Sequence, residues 1–159
     1  MLAEMTIAAP VLYCTFWIRQ RQFGVPVLMI KEVHGPTATT PIPGTPRAVR
    51  GYVNLRGNLY LLIDAGELLA GDGAPIAPDG DFIVFKAAAG ENFALQTERM
   101  GDILAIRGEQ IALPTTEAVH SSEPPRSSDR LIVGYAKLDH TLLTLLEPSE
   151  LLSAVFDVG

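Results

Sequence analysis

Apolar and polar residues alternate with a period of two along much of the chain, the pattern of strands whose two faces meet different surroundings. Leu12, Cys14, Phe16 and Ile18 alternate with Tyr13, Thr15 and Trp17, which predicts a strand apolar on both faces. Arg19-Gln20-Arg21-Gln22 reads as a polar turn. Phe23 to Val27 follows as a second strand in which Pro26 marks an edge or an end. Ile30-Lys31-Glu32-Val33 alternates again, and His34 to Pro46 is loop because Pro36, Pro41, Pro43 and Pro46 block regular structure. Gly51 to Leu55 and Leu59 to Ile63 form a hairpin around Arg56-Gly57-Asn58. After a connector rich in Gly, Pro and Asp (71–80), strands are expected at Phe82 to Phe85, Phe93 to Thr97 and Ile103 to Ile106. Residues 114–130, dense in Pro, Ser, Thr and charge, read as a long loop, and Leu131 to Leu138 with Thr141 to Leu146 as another hairpin. Pro148 suits a first helical position, and Leu151, Leu152, Val155 and Phe156 share one helical face, so a short helix over 148–156 ends the chain.

The pattern repeats. GYVNLRGNLYLLIDAGELL (51–69) and GYAKLDHTLLTLLEPSELL (134–152) match at eight of nineteen positions with a constant offset of 83. The identities include Gly51/Gly134, Tyr52/Tyr135 and the Glu-Leu-Leu ends, and Asp64/Glu147 is conservative. Upstream, Phe16 and Phe23 flank a polar turn as Phe85 and Phe93 do, and Glu32-Val33 parallels Asp102-Ile103. The expected fold is mainly β. It has two similar barrels of about five strands within one domain (1–159), the first mainly over 10–70 and the second mainly over 81–147. Closing a sheet into a barrel removes its exposed edges. Positions shared by the halves are framework, whereas an exposed turn that differs marks specialisation. Asn54-Leu55-Arg56-Gly57 faces Lys137-Leu138-Asp139-His140 in this comparison. Gly57 supplies the positive φ of a tight hairpin, and Arg56 can then present five donors to an acidic partner.

Composition narrows the function classes. Gly and Pro together make up 26 of 159 residues and only 19% are charged, which disfavours a helical bundle, while 48% hydrophobic content argues against disorder. The formal charge is −6 and the cations form no run, so nonspecific nucleic-acid binding is not expected. The first cation is Arg19, Glu4 and Pro10 interrupt the N-terminal apolar stretch, and no window resembles a membrane span. A cytoplasmic protein without membrane insertion is expected, and the lone Cys14 fits a reducing compartment. His34, His120 and His140 share no metal-ligand spacing. No Gly-x-Ser-x-Gly, phosphate loop or Cys-x-x-Cys occurs. Cys14 reads as a small core residue, and Asp64 and Glu147 as caps of the following turn or helix. No enzyme activity, metal or cofactor is therefore expected. The competing reading, a barrel that takes a small ligand or an oligonucleotide in a groove, would need basic or stacking surfaces. The eleven aromatic residues lie in apparent strands without basic interleaving.

Glu32-Val33, the Pro41-Ile42-Pro43 and Pro46 loop, and Gly51-Tyr52-Val53-Asn54-Leu55-Arg56-Gly57 through Ile63-Asp64 together resemble the CheW-like chemotaxis coupling proteins. The resemblance covers about residues 10–155. It implies a pair of SH3-like five-stranded barrels, in agreement with the repeat. It also implies an adaptor that joins the cytoplasmic tip of methyl-accepting chemoreceptors to the regulatory domain of a chemotaxis histidine kinase. The receptor tip would lie in the groove between barrels, and the kinase would meet barrel against barrel. By the same resemblance Ile30, Glu32, Gly51 and Arg56 are receptor-contact positions, with Asn54 and Gly57 shaping the turn. The residues themselves support other roles too. Ile30 suits a core position, Gly51 a backbone requirement shared with Gly134, and Glu32 an ion pair with Arg56 that would add little stability if exposed. Many members carry a basic residue after the strand-end aspartate, where this chain has Ala65-Gly66-Glu67. The particular receptor and kinase, in flagellar chemotaxis or another chemosensory pathway, are left open.

Overall fold

A computed structural model describes residues 9–70, 74–114 and 130–156. Most of the expected 114–130 loop, with His120, and residues 71–73 of the connector lie outside the described residues. Eleven strands are described: β1 (Val11–Ile18), β2 (Arg21–Pro26), β3 (Ile30–His34), β4 (Val49–Leu55), β5 (Asn58–Asp64), β6 (Phe82–Phe85), β7 (Phe93–Gln96), β8 (Arg99–Ile106), β9 (Ile111–Ala112), β10 (Ile132–Lys137) and β11 (Leu142–Leu146). Helix α1 (Ala65–Leu69) follows β5 and helix α2 (Leu151–Phe156) follows β11. Pro148 opens a 3-10 turn that leads into α2, with Glu147 as its cap.

The strands form two sheets, one in the order β8-β1-β2-β11-β10-β9 and the other β3-β6-β7-β5-β4. Neither sheet is built from one sequence half alone. The division into 10–70 and 81–147 describes the two repeats, not the two sheets. Each sheet takes the first two strands of one half and the remaining strands of the other, β3 to β5 in one case and β8 to β11 in the other. The crossing is made early, where the short turn Val27–Met29 follows β2 and carries the chain out of the first sheet into β3. The exchange is symmetric: β5 runs parallel to β7, and β11 runs parallel to β2.

The register shows that the repeat is structural. Leu61 faces Phe93 and Leu62 faces Ala94; at the same offset Thr144 faces Phe23 and Leu145 faces Gly24. An irregularity between Val49 and Gly51 is matched by one between Ile132 and Gly134. On the outer side of β4, Thr40 bridges Tyr52, as Ala112 pairs with Tyr135 on β10. These strands approach so closely that a Cβ on Gly51 would stand 2.1 Å from the Thr40 carbonyl oxygen, and one on Gly134 would stand 2.8 Å from that of Ala112. The shared glycines are thus explained by backbone contact.

Burial divides into three clusters. Val53, Leu55, Tyr60, Leu62, Phe82, Val84 and Ala94 pack inside the five-stranded sheet. Tyr13, Ile106, Ala136, Leu143 and Leu145, with Leu138 at the margin, do the same for the six-stranded sheet. Val53/Ala136, Leu55/Leu138, Tyr60/Leu143 and Leu62/Leu145 are repeat equivalents, so each sheet folds around its own small core. The largest cluster lies on the other faces and joins the sheets to α1 and α2. In it Phe16 stacks on Phe23 at 5.7 Å and Phe85 on Phe93 at 5.0 Å, the two aromatic pairs that the repeat equates. The apolar character of both faces of β1 follows: Tyr13 enters the sheet's own cluster, while Cys14, Phe16 and Ile18 enter the shared one.

Candidate functional site

The β4–β5 hairpin closes with two residues, because Leu55 pairs directly with Asn58. Arg56 has φ 52° and Gly57 φ 88°, the doubly positive geometry of a tight turn that matches strand twist. Gly57 takes it without penalty, whereas a residue bearing a Cβ pays about 1–2 kcal/mol for the left-handed region. The Asn54 side-chain oxygen accepts from the Gly57 backbone N–H at 2.9 Å and fixes the turn. Asn54 and Gly57 therefore hold Arg56 at the tip.

Arg56 reaches across the sheet. β3 is one edge of the five-stranded order and β4 the other, yet Arg56 Nη2 donates to Glu32 Oε1 at 2.8 Å and Oε2 at 2.7 Å. The sheet is curled enough for its ends to meet through side chains. A second link lies beside the first, where Lys31 Nζ donates to the Tyr60 hydroxyl at 2.9 Å and sits 5.5 Å from that ring's centre. The Arg56 side chain is 68% exposed and that of Glu32 only 23%, so the cation is the outward member. The Arg56 hydrogen bond holds the Glu32 carboxyl below its ordinary range; partial burial opposes this, and His34 adds to it. Glu32 in turn raises Arg56.

Sequence reasoning missed His34, taken as the start of a loop. It is the last residue of β3, its Nε2 lies 3.0 Å from Glu32 Oε1, and its ring stacks on Phe82 at 5.7 Å. Extending the alternation by one step would have found it, since positions 32 and 34 share a strand face. Lys31 and Tyr60 carried no comparable signal, because their meeting depends on how the sheet curls. With Phe85, Ala87, Glu91 and Asn92 they line an open recess of about 320 Å³.

The other expected positions are placed differently. Ile30 is half-buried, faces Phe85 and packs against the shared core, so its core character is real. Gly51 is buried beneath Thr40 and Pro41 and has φ 144°. Its part is to let that segment lie down. Asp64 caps α1, accepting from the Gly66 N–H at 2.7 Å and the Glu67 N–H at 3.2 Å. Its other oxygen pairs with Arg50 Nη2 at 2.7 Å and accepts from Ile76 N–H at 3.2 Å. Glu147 likewise accepts from Ser149 N–H. The base beside Asp64 in this chain is Arg50 of β4. Among the described residues no group of three or more His, Cys, Asp or Glu side chains is arranged to hold a metal ion. No described helix is long and apolar enough to cross a membrane.

Comparison with known proteins agrees in coverage and in fold. The chain is 24% identical over 143 residues to chemotaxis protein CheW of Klebsiella aerogenes, covering 89% of this chain and 81% of the relative. It is 29% identical over 139 residues to a probable chemotaxis protein CheW of Rhizobium etli, covering 87% and 84%. The scaffolding protein TtCheW from Thermoanaerobacter tengcongensis has the same fold, with a TM-score of 0.70 at 21% identity over 86% of this chain and 88% of that one. The family model for the CheW-like domain matches residues 12–156, nearly every strand of both sheets, and the chain belongs to that family.

Proposed function

We propose that this chain is a non-enzymatic cytoplasmic adaptor. It couples the cytoplasmic tip of methyl-accepting chemoreceptors to the regulatory domain of a chemotaxis histidine kinase within a chemosensory array. Its receptor contact centres on Arg56, with Glu32 orienting the guanidinium. Ile30 supports β3 from the core side, and Gly51 acts through the backbone it allows to pack. The kinase regulatory domain meets the chain barrel against barrel.

The observation that carries this reading is the cation at the turn. In a family of chemotaxis proteins, the Arg56-Gly57 tip departs from its repeat counterpart Asp139-His140 and presents an outward-facing arginine. Its positive φ is what a two-residue hairpin demands, as at Arg19 and Gln20 between β1 and β2, so the exposed cation and not the backbone carries the reading. A non-chemical role also fits the buried carboxylate, since Asp64 is committed to α1, Arg50 and Ile76.

Co-sedimentation with receptor signalling-domain assemblies and the kinase tests the proposal. Incorporation that depends on Arg56 supports it. Exclusion from the assemblies together with tight binding of a nucleotide or metabolite supports the competing reading, a binding module for a small ligand.

A further inference from the structure

We infer that His34 is a third member of the Glu32–Arg56 site, and that its protonation releases Arg56 toward an acidic partner by taking over the Glu32 carboxylate. The inference rests on the reading of Arg56 as a partner contact and adds a regulation to it.

Three observations carry it. First, Glu32 is approached from both sides: Oε1 accepts from Arg56 Nη2 and lies 3.0 Å from His34 Nε2, while Oε2 accepts from Arg56 alone. Second, the Arg56 end is the looser one. A single amino group spans both oxygens in place of the two-nitrogen fork that makes arginine–carboxylate pairs strong. Nε and Nη1 of Arg56 make no hydrogen bond among the described residues. Third, the His34 end is the fixed one, since its ring is stacked on Phe82 and its backbone is paired in β3.

A neutral imidazole offers Glu32 one hydrogen bond, and an imidazolium offers a charged one. Histidine makes that change between pH 8 and 5. The other charged or titratable groups on the elements that meet here are Lys31 on its own strand, Tyr60 from the β4–β5 hairpin, and Asp81 beside β6. Lys31 is engaged with the Tyr60 hydroxyl, and Asp81 Oδ1 lies on the Gly35 side of the strand end. With His34 neutral, the carboxylate and guanidinium balance. With His34 charged, the cluster is net positive and Glu32 stays paired when Arg56 leaves.

The test uses the full chain and a soluble receptor signalling tip. Affinity is measured from pH 8 to pH 6 for the wild type and for His34→Gln, while NMR follows the His34 and Arg56 side chains of the free protein. The wild type should bind roughly three- to fivefold tighter at pH 6, the size of one added charge at contact distance in water, and His34→Gln should lose the slope but bind as the wild type does at pH 8. In the free protein, the Arg56 resonances should move with the His34 titration. An equal slope in the variant, or Arg56 resonances indifferent to His34, would overturn the inference. Coupled resonances without receptor binding at any pH would support the switch and reject the receptor contact.

Discussion

Arg56 and Glu32 stand 24 positions apart in sequence and on opposite margins of one five-stranded sheet, yet the guanidinium meets both carboxylate oxygens within 2.8 Å. The pair joins a hairpin tip to an edge strand without any main-chain ladder between them. Because the arginine is the exposed partner, the pair orients a cation more than it holds the fold.

Arg56→Glu should therefore weaken association with a receptor signalling tip by at least about tenfold, since it places a carboxylate against Glu32 and reverses the charge offered outward. Kinase binding should be nearly unchanged, and thermal unfolding should shift by less than about 2 °C, as for an exposed pair. Calorimetric titration and a melting curve check both. Loss of folding would make Arg56 a structural residue.

The same pair sets a pH limit. The Glu32 carboxyl is lowered in the folded chain, so whatever the pair contributes is complete above the ordinary glutamate range and disappears as pH falls through the lowered value. With His34→Gln in both backgrounds, so that only the Arg56 pair is read, the difference in unfolding midpoint between Glu32 and Glu32→Gln should be constant near neutrality and vanish in acid. A difference that grows on acidification in that background would contradict the assignment.

Gly51→Ala should destabilise the chain by about 2–4 kcal/mol, the range for a substitution that forces backbone apart at a positive φ. Gly134→Ala should cost less, because its added Cβ would stand farther from the neighbouring carbonyl and its φ carries no strain. Denaturant titration gives the order. A harmless Gly51→Ala that still blocked receptor binding would instead make Gly51 a direct contact.

These glycines also show what the sequence made legible. Gly51 and Gly134 in equivalent places predicted a repeat, and the matching irregularities, edge bridges and parallel registers bear it out. The exchange of strands between sheets was not legible, because alternation defines a strand's faces and says nothing of its neighbours. β9 escaped because two residues carry no period, and the first part of β8 because Arg99, Gly101 and Asp102 interrupt the apolar alternation. Arg56 was visible as a departure between halves. His34 was missed because the prolines beyond it drew the loop boundary one residue too early.

Asp64→Ala should cost about 3–5 kcal/mol, the usual result of leaving a largely buried cation unpaired, here with the cap of α1 lost as well. Asp64→Asn should recover part of this by still accepting from Gly66 N–H. Equal losses would show that charge, not capping, is what Asp64 supplies.

Burial raises the Cys14 thiol, so the native protein should resist an alkylating reagent at neutral pH and react only after unfolding. Mass spectrometry of labelled native and denatured samples decides this. Rapid native labelling would place Cys14 outside the core shared by the two sheets.

The central claim is most directly tested by sedimenting receptor signalling-domain assemblies with the kinase and either the wild-type chain or Arg56→Glu. The account predicts that the wild type enters the pellet and raises the kinase recovered with it, while the variant remains in solution although folded and able to bind the isolated kinase regulatory domain. Equal incorporation of both proteins would contradict it.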